Sequence, residues 1–118
     1  MAYTPKLAPL DPCPVEHVVR LIGGKWKARL LARVRERPCS VAELHRHLPR
    51  ARPQVLLEQL KALEGDGIVR RLAPAPGKAW GDYALTERGE AFLAVVDAVA
   101  TWGEDDLRTA TVEARSDG

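Results

Sequence analysis

One face of a predicted helix between positions 53 and 64 carries four side chains with different hydrogen-bonding properties. A glutamine there can pair with an adenine edge in bidentate fashion, and a lysine can reach guanine or a phosphate. A glutamate accepts only from a donor such as cytosine N4, and an exposed leucine can touch a thymine methyl group. These residues are Gln54, Leu57, Glu58 and Lys61. The alternative interpretation is that all four are ordinary solvated side chains.

Further candidate DNA contacts lie at or near the starts of this helix and of two earlier helices. Arg50 and Arg52 lie at its entry, where a guanidinium suits a phosphate better than a base edge. Lys25 and Lys27 lie near an earlier helix start, where backbone N–H groups can also hold a phosphate. Ser40, at the start of a short helix, is another candidate DNA contact. For the lysines, the simpler interpretation is that their charge serves solubility.

A predicted hairpin after the helix adds three cations. Arg70 and Arg71 alternate on its first strand, so only one of them can face DNA while the other pairs internally. Of the two, Arg70 is the predicted DNA contact. Lys78, near the tip of the hairpin, is the preferred contact.

The helix that carries the four side chains is indicated by its apolar spacing and by its ends. Leu56, Leu60 and Leu63 recur at helical intervals and predict a buried stripe. Pro53 suits the first helical position, because its missing N–H leaves no bond unmade there. The segment Gly65-Asp66-Gly67 ends the helix, since glycine tolerates the left-handed conformation that closes a last turn.

The flanking segments complete a small fold. Ser40 and Glu43 form a capping box that opens a short helix, and residues 49–52 turn into the helix described above. Residues 68–72 and 79–85 follow as two strands. We therefore predict a mainly α fold with a small β-hairpin wing, a winged helix-turn-helix with extra N- and C-terminal dimerisation helices. Such a fold puts the second helix in the DNA major groove and the wing on the backbone or minor groove.

Apolar stripes in the first and last predicted helices point to a second copy of the chain. The last helix, which Thr86 caps, is apolar over more than one stripe, and such a helix needs a second partner. In so short a chain the simplest partner is another copy, which gives a two-fold dimer. The predicted interface residues are Val15, Val18, Val19, Phe92, Val95, Val96, Val99 and Trp102.

The 118 residues predict one domain, residues 13–108, between an irregular N-terminal arm, residues 1–12, and a frayed polar tail, residues 109–118. Charge is divided unevenly along the chain. Residues 1–78 hold fifteen Lys or Arg against seven Asp or Glu, whereas residues 79–118 hold three against nine. The basic first part points to a polyanionic partner, with a solvated charged surface as the alternative.

Two cysteines, Cys13 and Cys39, form no disulfide framework, which favours a reducing cytoplasm. Cys13 directly precedes a helix start, where the positive end of the helix dipole favours a reactive thiolate. The alternative is a small, inert, buried residue. Cys39 has no such placement and is expected to be half-buried in a loop. The polar, proline-rich start and the short apolar runs predict neither a signal peptide nor a membrane span.

The sequence predicts no metal, no cofactor and no enzyme activity. His45 and His47 are two positions apart on a helix and so point in different directions. No Cys-x-x-Cys or His-x-x-x-His pair occurs, and neither a phosphate-cradling glycine loop nor a nucleophile elbow is found. Trp26 and Trp102 fall on predicted core stripes, which favours packing over a ligand cage.

Several short motifs together resemble the HxlR family of bacterial transcriptional regulators. They are Cys13-Pro14-Val15-Glu16, Ile22-Gly23-Gly24-Lys25-Trp26, Glu43-Leu44, Leu56 to Leu63 with Glu64-Gly65-Asp66-Gly67, Tyr83-Ala84-Leu85-Thr86 and Gly89. The resemblance covers roughly residues 13–104 and implies a dimeric winged-helix repressor or activator. It also implies a sensing role for Cys13, because several family members detect oxidants or electrophiles through the matching cysteine. Arg52 stands where the family usually has serine, and Ala79-Trp80-Gly81 stands where a basic residue and valine are more common.

The sequence thus favours a dimeric, sequence-specific DNA-binding regulator that recognises a palindromic operator and responds to a small-molecule or oxidant inducer. Two other classes stay open. A winged-helix module that binds protein without DNA is suggested by Arg52 and Leu57, although the basic first part argues against it. A small thiol enzyme that uses Cys13 lacks a histidine or carboxylate at recognisable spacing.

Overall fold

A computed structural model describes the backbone of residues 13–117 and the side chains of residues 13–112, so the predicted N-terminal arm lies outside this part. Within it the chain forms five helices and two strands. They are α1 (Pro14–Ile22), α2 (Lys27–Val34), α3 (Val41–His47), α4 (Pro53–Gly65), β1 (Val69–Arg71), β2 (Tyr83–Leu85) and α5 (Glu87–Asp117). This order confirms the mainly α, winged helix-turn-helix prediction.

Leucines from three consecutive helices form the centre of the fold. Leu56, Leu60 and Leu63, the predicted stripe of α4, are fully buried. They share one core cluster with leucines of α2 and α3 and with Trp26, which is buried as predicted. Burial of each leucine side chain contributes about 1.5–3 kcal/mol relative to exposure. This packing fixes α4 against α2 and α3.

The end of α4 follows the glycine signal in the sequence. Gly67 has a φ of 75°, in the left-handed region. The Ile68 amide donates to the Leu63 carbonyl at 2.9 Å, and the Gly67 amide donates to the Glu64 carbonyl at 3.0 Å. These two bonds, with buried Ile68 and Leu63 beside them, form a Schellman cap. The chain therefore turns directly from α4 into the wing.

The wing is a two-stranded antiparallel sheet whose register pairs Val69 with Leu85 and Arg71 with Tyr83. A third segment joins its end, because Cys39 forms an isolated bridge with Tyr83. Each backbone amide of this pair donates to the other residue's carbonyl, at 3.0 and 2.8 Å. Since Cys39 lies just before α3, the bridge ties the helix-turn-helix to the wing.

Both strands are shorter than predicted, because the hairpin loop folds back on the first strand. Past β1 the Leu72 amide donates to the Asp82 carbonyl at 2.7 Å. A Cβ on Gly81 would lie 1.6 Å from the Leu72 carbonyl oxygen. Only glycine permits so close an approach. The loop therefore leaves the ladder before β2 can extend back to Ala79.

α5 begins at the predicted cap but runs further than expected. The Thr86 hydroxyl accepts from the Gly89 amide at 2.9 Å and donates to the Gly67 carbonyl. The helix then continues for 31 residues to Asp117. The backbone of the predicted polar tail is therefore helical over residues 109–117. Polarity alone does not end a helix, and residues 104–117 contain neither proline nor glycine.

Only the first turns of α5 pack on the core of the chain. Phe92 is buried and Val96 is half-buried, but Val95, Val99 and Trp102 are 47%, 63% and 70% exposed. Trp102, predicted on a core stripe, is therefore not a core residue of the single chain, whereas Phe92, predicted at the dimer interface, belongs to that core. At about 1.5 Å per residue the helix is roughly 46 Å long. The small helix-turn-helix body covers only its beginning.

The predicted stripe of α1 is also largely uncovered. Leu21 is the buried residue of this helix, and Val18 and Ile22 are half-buried against the core. Val15 and Val19 are 49% and 58% exposed. Both terminal helices therefore leave apolar side chains in solvent.

We expect Thr86→Ala to lower the free energy of unfolding by about 1–2 kcal/mol, because it removes the hydroxyl that caps α5. Urea denaturation followed by circular dichroism, at one fixed protein concentration, measures this change. Thr101→Ala is the matched control, since Thr101 lies exposed within α5 and its hydroxyl donates to the Asp97 carbonyl. The control should stay within about 0.5 kcal/mol of wild type. Equal losses in both variants would contradict the capping role.

Candidate nucleic-acid interface

The outward side of α4 carries the predicted recognition residues. Gln54, Glu58 and Lys61 are exposed, whereas Leu57 is half-buried and packs against the core. Arg52 is the N-cap residue, and its side chain makes no capping hydrogen bond. The arginine at this position therefore leaves α4 without a side-chain cap. The polar side of α4 is therefore free of packing at its first turns.

A cleft of about 690 Å³, here called the wing cleft, lies between the start of α3, the outward side of α4 and the wing. Its walls are formed by Ser40, Val41, Ala42, Pro53, Gln54, Leu57, Lys61, Arg71, Lys78, Ala79, Trp80, Gly81 and Tyr83. Five of these are predicted contacts, namely Ser40, Gln54, Leu57, Lys61 and Lys78. No aspartate or glutamate is among the wall residues. The cleft therefore joins the recognition residues to the wing and has only positive formal charge.

The other predicted contacts lie outside the wing cleft. They are Lys25, Lys27, Arg50, Arg52, Glu58 and Arg70. Lys25 does not begin a helix as predicted, because α2 starts at Lys27 with Trp26 as its N-cap. The Lys25 ammonium lies 5.1 Å from the centroid of the Trp26 ring. This cation is thus held against an aromatic face next to the start of α2.

Arg71, the alternative to Arg70 on the first strand, is the arginine that reaches the wing cleft. Its guanidinium donates a hydrogen bond to the Tyr83 hydroxyl and lies 5.1 Å from the Tyr83 ring centroid and 5.5 Å from that of Trp80. The hydrogen bond to Tyr83 raises the pKa of Arg71 above its ordinary value. Strand alternation turns Arg70 to the other face. Arg71 is thus the member of the pair with an internal partner, and it also lies on the wall of the wing cleft, whereas Arg70 lies outside the cleft. The choice of Arg70 as a DNA contact stays a prediction.

Ser40 has a positioning role at the edge of the cleft. Its hydroxyl accepts from the Glu43 amide at 3.1 Å, which is one half of the predicted capping box. The Glu43 carboxylate lies 3.4 Å from the same hydroxyl and pairs with Arg37 at 3.1 Å. Ser40 therefore fixes the start of α3, and its hydroxyl is already engaged within the protein.

The two cysteines lie in different environments. Cys13 is the N-cap residue of α1 and is half-buried. Cys39 is 4% exposed, more buried than predicted, and its thiol donates to the Arg37 carbonyl at 3.2 Å. Burial, and then the negative charge of Glu43, raises the pKa of the Cys39 thiol. The reactive thiolate is thus disfavoured at Cys39, and Cys13 is the more accessible thiol.

The part of the chain that the structure describes contains no group of three or more His, Cys, Asp or Glu side chains placed to hold a metal ion. The buried Nδ1 atom of His45 has no hydrogen-bond partner, and His45 belongs to no such group. Across the same residues, no helix combines the length and the apolar character that crossing a bilayer requires.

The fold and the basic cleft beside its second helix define a winged helix-turn-helix protein of the DNA-regulatory class. The profile of one family, described as HxlR-like helix-turn-helix, matches residues 21–111 of this chain. The chain belongs to that family and is an HxlR-type helix-turn-helix transcriptional regulator.

Relatives and solved structures agree with this assignment. The HTH-type transcriptional regulator YybR of Bacillus subtilis is 36% identical over 98 residues, which cover 81% of this chain and 77% of YybR. The redox regulator HypR in its reduced form superposes with a TM-score of 0.73 at 34% identity, covering 79% of this chain and 92% of HypR. Quinone-bound YodB from B. subtilis superposes with a TM-score of 0.68 at 29% identity, covering 79% of this chain and 99% of YodB.

Proposed function

We propose that this regulator binds a palindromic DNA operator as a homodimer, with α4 in the major groove and the wing on the backbone or minor groove. The observation that supports this proposal is the wing cleft, which places Gln54, Lys61 and Lys78 along one surface without an acidic wall residue. A surface with this charge attracts phosphates, and it presents side chains that can pair with base edges.

Four wall residues contact DNA in this proposal. Gln54 reads an adenine, and Lys61 reaches a guanine or a phosphate. Lys78 and Arg71 contact the backbone from the wing, where Arg71 is held in place by the Tyr83 hydroxyl. Leu57, which suggested a protein-binding surface, is half-buried against the core. Its position therefore has a packing explanation, which weakens the alternative of a protein-interaction module.

The second copy is proposed to lie against α1 and α5. The described large apolar side chains that are exposed on these two helices are Val15, Val19, Val95, Val99, Trp102, Leu107 and Val112. Concentrated exposure of apolar side chains marks an interaction surface. Two-fold symmetry about this surface would place the two α4 helices about 34 Å, or a multiple of one DNA turn, apart.

We further propose that an oxidant or electrophile controls the regulator through Cys13. The half-buried thiol lies at the N-cap of α1, whereas Cys39 is buried and has a raised pKa. HypR is described as a redox regulator, and YodB as quinone-bound. Modification of Cys13 would add bulk or charge where α1 meets the second copy, and would rotate the two α4 helices out of register with successive grooves.

Gln54→Ala should weaken binding to the operator by about 1–3 kcal/mol and leave binding to random DNA nearly unchanged. Lys78→Ala should weaken both alike and reduce the salt slope by about one unit, because it removes one phosphate contact. Fluorescence anisotropy over a salt series, with an operator selected from a random DNA pool, measures both. If Gln54→Ala weakens random DNA as strongly as the operator, Gln54 is not a base reader. Failure to select any DNA would favour the protein-interaction module.

Sedimentation velocity at micromolar concentration should show a wild-type dimer. Val99→Asp should produce a monomer, because it places a charge in the proposed apolar interface. Thr101→Asp, two positions along α5 and on its other side, is the control and should remain dimeric. A wild-type monomer at this concentration would refute the proposed dimer.

Treatment with a quinone should lower the operator affinity of wild type and of Cys39→Ser, but not of Cys13→Ser. The expected difference follows from the half-buried, more accessible position of Cys13 and from the raised pKa of buried Cys39. Anisotropy before and after treatment gives the affinity, and mass spectrometry gives the modified residue. A response that persists in Cys13→Ser would assign Cys13 to packing and the response to another inducer.

A further inference from the structure

The wing cleft has the features of a small-molecule site in addition to those of a DNA surface. We propose that it binds a planar aromatic carboxylate, and that the bound molecule excludes DNA from α4. The second half of this inference rests on the proposed DNA-binding function, whereas the first half stands on the cleft alone.

The size and the apolar walls of the cleft suit an organic molecule. Its volume of about 690 Å³ falls within the range of roughly 300–1,000 Å³ that is typical of ligand pockets. Val41, Ala42, Pro53 and Leu57 supply apolar wall from the helical side. A phosphate or another small inorganic anion would leave these walls solvated. An aromatic ring would cover them, which is favourable in proportion to the apolar area buried.

The wing supplies an aromatic side chain that is largely exposed, although the Arg71 guanidinium lies 5.5 Å from the centroid of its ring. Trp80 is 74% exposed, although it lines the cleft. The adjoining Gly81 lies so close to the Leu72 carbonyl that a side chain would not fit there. The loop is thereby held against the end of β1, and Trp80 is displayed at the cleft. An exposed indole on a braced loop offers a stacking partner for a planar ligand.

The positive charges of the cleft identify the ligand as an anion. Lys61 lies on the α4 wall and Lys78 on the wing wall. The Arg71 guanidinium lies 5.5 Å from the ring centroid of Trp80 and 5.1 Å from that of Tyr83. The Tyr83 hydroxyl and the two rings hold the Arg71 guanidinium in place. A positioned guanidinium with N–H groups to spare matches the two oxygens of a carboxylate. The cleft therefore combines apolar walls with one oriented carboxylate receptor.

Occupation of the cleft would compete directly with DNA. Gln54 and Lys61 are both wall residues of the cleft and proposed recognition residues of α4. A ligand that covers them removes the surface that DNA would contact. This competition needs no change of protein conformation.

The first experiment measures ligand binding without DNA. Titration of the full chain with 2-naphthoate, followed by ¹H–¹⁵N chemical shifts, should give saturable changes at residues of α4 and the wing. Neutral 2-naphthamide, which has the same ring and no charge, should bind at least about tenfold more weakly. Trp80→Ala and Arg71→Gln should each reduce 2-naphthoate affinity by a similar factor, whereas Arg70→Ala, on the other face of β1, should not. No saturable binding, or equal affinity in all variants whose spectra show a native fold, would overturn the proposed site.

The second experiment adds an operator selected from a random DNA pool. Saturating 2-naphthoate should raise the dissociation constant for the operator in wild type and have less effect in Trp80→Ala. Binding at the cleft that leaves operator affinity unchanged would overturn the competition while the ligand site stands. If the protein without ligand binds no DNA, the proposed function fails, and the first titration still decides the ligand site on its own.

Discussion

Burial of Tyr83 is the constraint on which the architecture depends. Its side chain is 1% exposed, and a buried tyrosine hydroxyl needs a polar partner. Arg71 supplies that partner from the opposite strand, while the backbone of Tyr83 pairs on its other edge with Cys39. One residue thus joins the segment before α3, the wing and the wing cleft. A register shift of one position would turn Tyr83 to the other face and separate Arg71 from Trp80.

The position of α5 depends on two contacts near its start. The Thr86 hydroxyl bonds to the Gly67 carbonyl, so the end of α4 and the start of α5 share one cap. Arg35, which follows α2, donates two hydrogen bonds to Asp97 at 2.7 and 2.9 Å. This hydrogen bonding lowers the pKa of Asp97 below its ordinary value. Both partners are exposed, so the ion pair orients α5 more than it stabilises the fold. Beyond Asp97 the large apolar side chains of α5 are exposed, and their burial requires a partner from outside the chain.

Features that depend on a few neighbouring residues were predicted from the sequence. The end of α4 at Gly67 and the cap at Thr86 are of this kind, and the structure confirms both. Which of Arg70 and Arg71 lies on the wing cleft depends on the pairing of Arg71 with Tyr83, twelve positions away. The residue types of the first strand do not reveal that pairing. Trp102 was misassigned to the core for another reason. Helical spacing shows that a face is apolar, but it does not show whether the same chain or a second copy covers it.

The proposed cleft ligand and the proposed modification of Cys13 would affect α4 by different physical mechanisms. An aromatic carboxylate in the wing cleft occupies the face of α4 itself, so its effect follows from simple exclusion. Modification of Cys13 begins on α1 and must be transmitted, which requires an element with two arrangements. A direct link between α1 and α4 is the pair of Arg20 and Asp66, 3.3 Å apart at the C-cap of α4. Arg20 is largely exposed in this pair, so the link is weak. A tilt of α1 would therefore move the second copy before it disturbs α4. We accordingly infer that an oxidant changes the separation of the two α4 helices, whereas a cleft ligand blocks each α4 independently.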